Sequence, residues 1–291
     1  RDNGKPHKDT VTEIQRSADW ITYYAGAADK IEGAQIPFRT DALAYTRREP
    51  VGVVGAIVPW NSPVLLTCWK LGPALATGNA VVLKPSEVTP VSAFALARLV
   101  EEAGFPAGVV NLVPGYGATA GAALARHPGV NKITMTGSHR TAQTIMKLGS
   151  DSLKRCTFEC GGKSPHILFD DAQLDHALTV ASRAAFRSTG QSCGLGSRLI
   201  VQRGIYDRVV EEMAARARRI RVGAPFEATT HIGPQSSAEQ LAKTEGYIRL
   251  GRDEGARLVA GGGRPAGCDR GYFIEPTVFA DVDNASRLAQ E

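Results

Sequence analysis

The chain has 291 residues, a net charge of +5, and is 43% hydrophobic and 22% charged. That balance is an ordinary globular one, with apolar material for two average domains. No stretch approaches the roughly 20 consecutive apolar residues of a membrane helix, so no membrane partner is expected. The polar opening Arg1-Asp2-Asn3-Gly4-Lys5 lacks the features of a secretory signal, and a cytoplasmic protein is expected. Arg216, Arg218, Arg219 and Arg221 close a helix-like segment that carries Glu211 and Glu212 earlier. Acid early and base late suits the helix dipole. Without interleaved aromatics the cluster reads as a solvated face, and no nucleic acid is expected as a partner. The cysteines number five, and their spacing fits neither a zinc site nor a disulfide framework. Reduced thiols and no metal are expected.

In chain order, the spacing of Ile14, Ile21 and Tyr24 predicts a helix over 10–24, with Thr10 and Glu13 at capping-box separation. Residues 31–49 read as a connecting or extended arm, with a strand near Leu43-Ala44-Tyr45-Thr46. A strand–helix alternation then begins. Strands are expected over 53–58, 81–83, 109–113 and 132–135. Helices are expected over 65–75, from Thr89-Pro90 to Gly104, and over 116–125. Thr89 has the chemistry of an N-cap and Pro90 that of a first-turn residue. Val91, Phe94, Ala95 and Leu99 share one face of that helix. After Gly161-Gly162 the rhythm restarts, with strands over 167–169, 198–201, 258–259 and 277–279. The intervening helices are expected over 174–186, from Tyr206 to Ile220, and over 235–253. Such alternation predicts an α/β fold with a parallel, doubly wound sheet. The natural boundary between two α/β units falls near Glu159 to Gly162.

Several segments carry polar groups where chemistry is plausible. Cys193 lies in the Gly-flanked polar loop Thr189-Gly190-Gln191-Ser192-Cys193-Gly194, unlike a structural cysteine in an apolar run. Glu159 precedes two glycines, which permit close backbone approach to a ligand; a surface Glu before a turn is the plainer reading. Asn61 follows a buried strand, where its amide is placed to donate to a ligand oxygen; a turn Asn between prolines is the alternative. Lys84-Pro85-Ser86-Glu87 follows the next strand and suits a ribose. Thr136-Gly137-Ser138 ends another strand and opens a helix, whose N–H groups and hydroxyl suit a phosphate. Gly115-Tyr116-Gly117 is not a proper dinucleotide fingerprint and reads as a turn and helix start.

The order and spacing of these segments together are specific. Pro59-Trp60-Asn61, the run from Trp69-Lys70 to Gly78-Asn79, Lys84-Pro85-Ser86-Glu87, Thr136-Gly137-Ser138, Glu159-x-Gly-Gly-Lys163 and Gly190-Gln191-x-Cys193 resemble the aldehyde dehydrogenase superfamily along the whole chain. The last two motifs place Glu159 and Cys193 34 residues apart. The resemblance implies a Rossmann-type cofactor domain from residues 1–30 and 50–161. It also implies a bridging and oligomerisation arm at 31–49 and an incomplete catalytic domain at 162–291. It implies Cys193 as nucleophile, Asn61 as oxyanion donor, Glu159 as general base and Lys70 as a proton-relay residue. Cofactor contacts are implied for Ile57, Val58, Pro59, Trp60, Lys84, Ser86, Glu87, Gly117, Thr136, Gly137, Ser138 and Cys160. A Glu87 carboxylate on the ribose would repel a 2′-phosphate, so NAD is favoured over NADP.

The expected reaction is oxidation of an aldehyde to a carboxylic acid, in a homodimer or homotetramer. The alternatives are a coenzyme A-acylating semialdehyde dehydrogenase, against which Glu159 argues, and an inactive nucleotide-binding fragment. Three positions depart from the family pattern: Met135 for Phe, Cys160 for Leu, and Ala142 for Gly, whose methyl is expected near the pyrophosphate path. Family members are substantially longer. A fragment is therefore expected, with apolar surface exposed where further chain would pack.

Overall fold

The computed structural model describes residues 2–291. Internal packing divides it into two units: Asp2 with Val11–Cys160, and Asn3–Thr10 with Gly161–Glu291. Residues 1–30, expected together in the cofactor domain, are thus divided, and Arg1 lies outside the described residues.

The first helix, α1 (His7–Ala27), starts a turn earlier than its capping-box spacing suggested. The amides of Asp9 and Thr10 already donate to the Pro6 carbonyl, and the Thr10 hydroxyl donates back to His7 O. Thr10 is therefore inside the helix and caps nothing. In the first unit Trp20 and Tyr24 of α1 pack against α2 (Pro63–Ala76) at Gly72, where a Cβ would lie only 3.0 Å from the Tyr24 ring. Residues 31–49 form an antiparallel hairpin of β1 (Gln35–Arg39) and β2 (Ala42–Tyr45). β1 was not legible in sequence, because Pro37 interrupts a short run with only Ile36 and Phe38 as apolar residues. The hairpin is almost wholly exposed, Phe38, Leu43 and Tyr45 included.

The first unit is built on a five-stranded sheet in the order β5-β4-β3-β6-β7. These strands are β3 (Val53–Ile57), β4 (Ala80–Lys84), β5 (Val110–Leu112), β6 (Lys132–Gly137) and β7 (Arg155–Cys160). Every pairing is parallel. Alternate residues of β3 explain the helix layers. Val54 and Ala56 join Leu66, Leu71 and Ala74 of α2 in one core cluster. Val53 and Ile57 face the other cluster, formed with α4 (Ala122–Arg126) and α5 (His139–Gly149). Period-two alternation thus sends the flanking helices to opposite faces. Gly55 permits close packing, since a Cβ there would lie 2.6 Å from Ile133 Cδ1.

Three local expectations are corrected here. The helix α3 (Val91–Glu102) has Pro90 as its flanking residue and no side-chain cap from Thr89. Thr89 is fully buried and donates instead to the Trp60 carbonyl at 3.2 Å. The Asp2 carboxylate serves the helix start, accepting from Ser92 N at 2.9 Å and Ser92 Oγ at 2.6 Å. Second, α3 packs through Ala93 and Leu96, and the shared face of Val91, Phe94 and Leu99 is turned to solvent. Third, the segment expected as one helix over 116–125 is a π-type turn, Gly117–Gly121, followed by α4.

The second unit contains a parallel pair, β8 (Pro165–Leu168) with β9 (Arg198–Val201), and an antiparallel pair, β10 (Arg257–Ala260) with β11 (Val278–Ala280). α6 (Leu174–Phe186) and α7 (Tyr206–Arg219) bury Leu178, Ala181, Val209 and Met213 against Leu168. The helices α8 (Ala238–Asp253) and α9 (Arg287–Gln290) complete it. On the strand pair Ile167 and Ile200 are exposed, as is Phe169 just beyond it. A cleft of ≈ 680 Å³ is lined by Leu199, Ile200, Val201, Met213 and Val278 among others.

Candidate active site

In the first unit the strand order reverses between β3 and β6: the chain moves outward through β4 and β5, then returns to the other side. Ligands of open α/β sheets bind beyond the carboxyl ends of strands at such a switch point. Register places Ile57 beside both Lys84 and Met135, and pairs Thr136 with Glu159 and Gly137 with Cys160. The segments Ile57–Asn61, Lys84–Glu87, Thr136–Ser138 and Glu159–Cys160 therefore share one edge of one sheet.

Lys84 is almost completely buried, and its ammonium donates to Pro85 O at 2.8 Å and to Glu87 Oε2 at 3.1 Å. Burial alone would raise the Glu87 carboxyl. Its own backbone N–H, the Lys84 ammonium and the Gly117 N–H outweigh that and hold it below the ordinary carboxylate range. The carboxylate remains partly exposed, with lone pairs left for a diol. Ser86 is buried, and its hydroxyl accepts from Val88 N at 3.2 Å, so it shapes the turn. Trp60 is held through its carbonyl by Thr89, a residue that sequence reasoning assigned to helix capping.

Ser138 is the N-cap of α5, its hydroxyl oxygen accepting from Thr141 N at 3.1 Å. Thr136 Oγ1 is buried and has no hydrogen-bond partner among the described residues. An orphaned hydroxyl beside a helix N-terminus suits an anionic or polar ligand. These groups fit a dinucleotide: an acid and a lysine for a ribose, and a helix start for a phosphate. Ala142 is buried in the core cluster with Met135 and Ile145. Cys160 packs against the same cluster.

Lys70 is the most perturbed of the predicted residues. Its side chain lies on α2 with the residue only 6% exposed, and its ammonium donates to Thr134 Oγ1 at 3.2 Å. Burial pulls its pKa down to about 8, against a smaller opposing pull from the Glu159 carboxylate. Lys70 and Glu159 are thus electrostatic neighbours. Glu159 is exposed at the end of β7, and Asn61 is half-buried in the turn that enters α2. Thr134, the partner of Lys70, went unnoticed in sequence because a threonine in a strand signals only β-propensity.

In the second unit Cys193 is an exposed free thiol. The turn before it is unusual. Ser188, Thr189 and Gly190 have φ values of 54°, 60° and 69°, three successive left-handed residues. Each of the two non-glycines costs about 1–2 kcal/mol in that conformation, so the surroundings must hold the turn. Gly162 explains one part of the Gly-Gly motif: a Cβ there would lie 3.3 Å from the Cys193 carbonyl oxygen. Gln191 Oε1 accepts from Ser236 N at 3.1 Å, and Gln235 Nε2 donates to Thr189 O at 3.2 Å. No sequence signal marked Gln235 or Ser236, since their contacts span more than 40 residues. Lys163 is pushed below the usual lysine range by burial and by Arg198. Among the described residues no group of three or more His, Cys, Asp or Glu is arranged to hold a metal, and no helix is long and apolar enough to cross a membrane.

A parallel, doubly wound sheet with an acid–lysine pair suited to a ribose, and a separate unit presenting an exposed cysteine, define an α/β fold with a nucleotide-type ligand edge. Residues 1–291 match the Aldehyde dehydrogenase family, and the chain belongs to it. It is 51% identical over 292 residues to "Aldehyde dehydrogenase, mitochondrial" of Mesocricetus auratus, covering 100% of this chain and 58% of that protein. The corresponding protein of Homo sapiens is also 51% identical, with 56% of it covered. Among solved structures, the NAD+ complex of an aldehyde dehydrogenase from Bacillus cereus superposes with a TM-score of 0.97 at 44% identity, covering all of this chain and 59% of that one. Betaine aldehyde dehydrogenase from Staphylococcus aureus, in complex with NAD+, gives 0.98 at 38% identity, covering 100% and 58%. The chain therefore spans somewhat more than half the length of these relatives.

Proposed function

We propose that this chain carries the cofactor-binding and nucleophile-bearing portions of an NAD-dependent aldehyde dehydrogenase. The observation that carries the reading is the common carboxyl edge of the parallel sheet. Ile57–Asn61, Lys84–Glu87, Thr136–Ser138 and Glu159 converge there at the switch point. Two relatives of the same fold are NAD+ complexes, which supports NAD as the cofactor here. Lys84 and Glu87 would hold the adenosine ribose, and Ser138 with the α5 N-terminus a phosphate. The negative Glu87 disfavours a 2′-phosphate and hence NADP.

Bound NAD supplies a hydride acceptor. The protein does the rest. Cys193 Sγ adds to the aldehyde carbonyl carbon, and the resulting oxyanion takes hydrogen bonds from the Asn61 amide and the Cys193 N–H. Loss of hydride from that carbon leaves a thioester on Cys193. Glu159 takes a proton from water as the water attacks the thioester, releasing the carboxylic acid and the thiol. Lys70, buried and with its pKa drawn down to about 8, gives up a proton more readily than an ordinary lysine and is suited to pass protons to and from Glu159. The exposed β1–β2 hairpin, with Phe38, Leu43 and Tyr45, supports a homo-oligomer in which a partner copy covers it.

The test is NADH formation from a simple aldehyde, with and without coenzyme A. Turnover that is independent of coenzyme A and collapses in Cys193→Ala is expected. Full activity in that variant refutes the mechanism, and dependence on coenzyme A identifies the acylating branch instead.

A further inference from the structure

We propose that Gln235 is a positioning residue that clamps the strained turn beneath Cys193; the proposal rests on the reading of Cys193 as the nucleophile. Three consecutive left-handed residues, Ser188 to Gly190, are not a conformation this segment holds by itself. Thr189 is only 4% exposed, and its hydroxyl has no partner among the described residues, so its side chain does not anchor the turn. Apart from the local Gln191 N–H to Ser188 O bond at 3.1 Å, the anchoring comes from two consecutive residues distant in sequence. The Gln235 amide donates to Thr189 O at 3.2 Å, and the Ser236 N–H donates to Gln191 Oε1 at 3.1 Å. These bonds bracket Gly190, two residues short of the Ser192–Cys193 pair.

Gln235 is itself fixed from both ends. It is 6% exposed, and its backbone N–H donates to Tyr272 O at 2.8 Å. Its Oε1 faces the Thr244 hydroxyl of α8 at 3.4 Å, a hydroxyl that also faces Gln240 O at 3.0 Å. A primary amide is the group this place requires, since it offers a donor to Thr189 O and an acceptor to Thr244 at once. An ionised glutamate of the same size has no donor to offer. Beyond the local Gln191 N–H to Ser188 O bond, the strained turn is thus tied through Gln235 to a 16-residue helix.

The experiment compares Gln235→Glu, Gln235→Ala and Thr244→Val with the wild type by amide hydrogen exchange and by steady-state kinetics. Both Gln235 variants are expected to speed exchange of the 187–193 amides about tenfold, the weight of one buried hydrogen bond, while the β8 and β9 amides stay unchanged. Thr244→Val is expected to shift the same amides in the same direction, by less. Under turnover kcat falls about tenfold, and aldehyde KM stays within about threefold. Unchanged 187–193 exchange in Gln235→Glu overturns the proposal. So does faster exchange of β8 and β9 in step with the loop, which marks Gln235 as general packing. The exchange arm needs neither aldehyde nor cofactor. A chain that shows the local exchange change but forms no NADH keeps the clamp and refutes the catalytic reading.

Discussion

Replacing Lys70 by Met has a consequence opposite to that of most core changes: it stabilises the fold at neutral pH. The ordinary lysine value is 10.5, and in the folded chain burial draws it down to about 8. Unfolded chain therefore binds more protons than folded chain between pH 8 and pH 10.5, and wild-type stability rises with pH across that window. Below pH 8 both states are protonated, and the full penalty of burying the charge is present. At about 1.4 kcal/mol per pKa unit that penalty is roughly 3 kcal/mol. The Glu159 attraction is already contained in it. Lys70→Met removes the penalty but strips Thr134 of its partner, an offset of about 1 kcal/mol. A gain of about 2 kcal/mol at pH 7 is expected, vanishing and then reversing slightly as the pH approaches 10.5. All tryptophans of the chain, Trp20, Trp60 and Trp69, fall within Val11–Cys160. Urea unfolding followed by tryptophan fluorescence at a series of pH values thus reports on the unit that holds Lys70. Parallel pH profiles for wild type and variant, or a loss of stability at pH 7, would refute the reasoning.

In Glu159→Gln the first turnover should proceed and the thioester should then accumulate, seen as an NADH burst of one per Cys193; an unchanged steady-state rate removes Glu159 as the base. Glu87→Gln removes the charge that opposes a 2′-phosphate, so the ratio of kcat/KM for NAD over NADP should drop about tenfold, the worth of one charge-assisted hydrogen bond; an unaltered ratio places cofactor choice elsewhere. Thr89→Val deletes the buried donor to the Trp60 carbonyl and should lower stability by about 1–3 kcal/mol in the same fluorescence assay. A loss below about 0.5 kcal/mol, the level of an ordinary surface change, would show that this hydrogen bond contributes nothing measurable.

The sheet of the first unit was legible largely because its strands are apolar runs bounded by Gly and Pro, and the helices between them repeat with a period near 3.6. β7 was harder. Cys156, Phe158 and Cys160 alternate with Arg155, Thr157 and Glu159, a one-faced edge strand whose polar half hides it from a search for apolar runs. That alternation was present to be counted. The segments that form the cofactor edge were visible as separate motifs, yet nothing local said that they share an edge. Parallel register across four strand pairings does that.

Other features were beyond any local reading. Thr89 has the chemistry of a helix cap, and its neighbours fit. A tertiary acceptor, the Trp60 carbonyl, claims its hydroxyl, because a fully buried hydroxyl takes the partner that the packing offers. That Ala142 on α5 is buried with Met135 and Ile145 is likewise a property of the packing. The perturbation of Lys70 depends on how deeply α2 is buried and on where Glu159 ends its strand. By itself the sequence determined the chemistry available to this protein: an α/β alternation, a loop cysteine, a glutamate before two glycines, and a lysine–glutamate pair after a strand. Periodicity and motif spacing are local properties, and they survive in a bare string of residues. Only the tertiary structure decided which hydroxyl holds Trp60, which lysine loses its charge most easily, and which distant glutamine restrains the left-handed turn before Cys193. Burial and hydrogen-bond partnership across tens of residues arise when the chain packs.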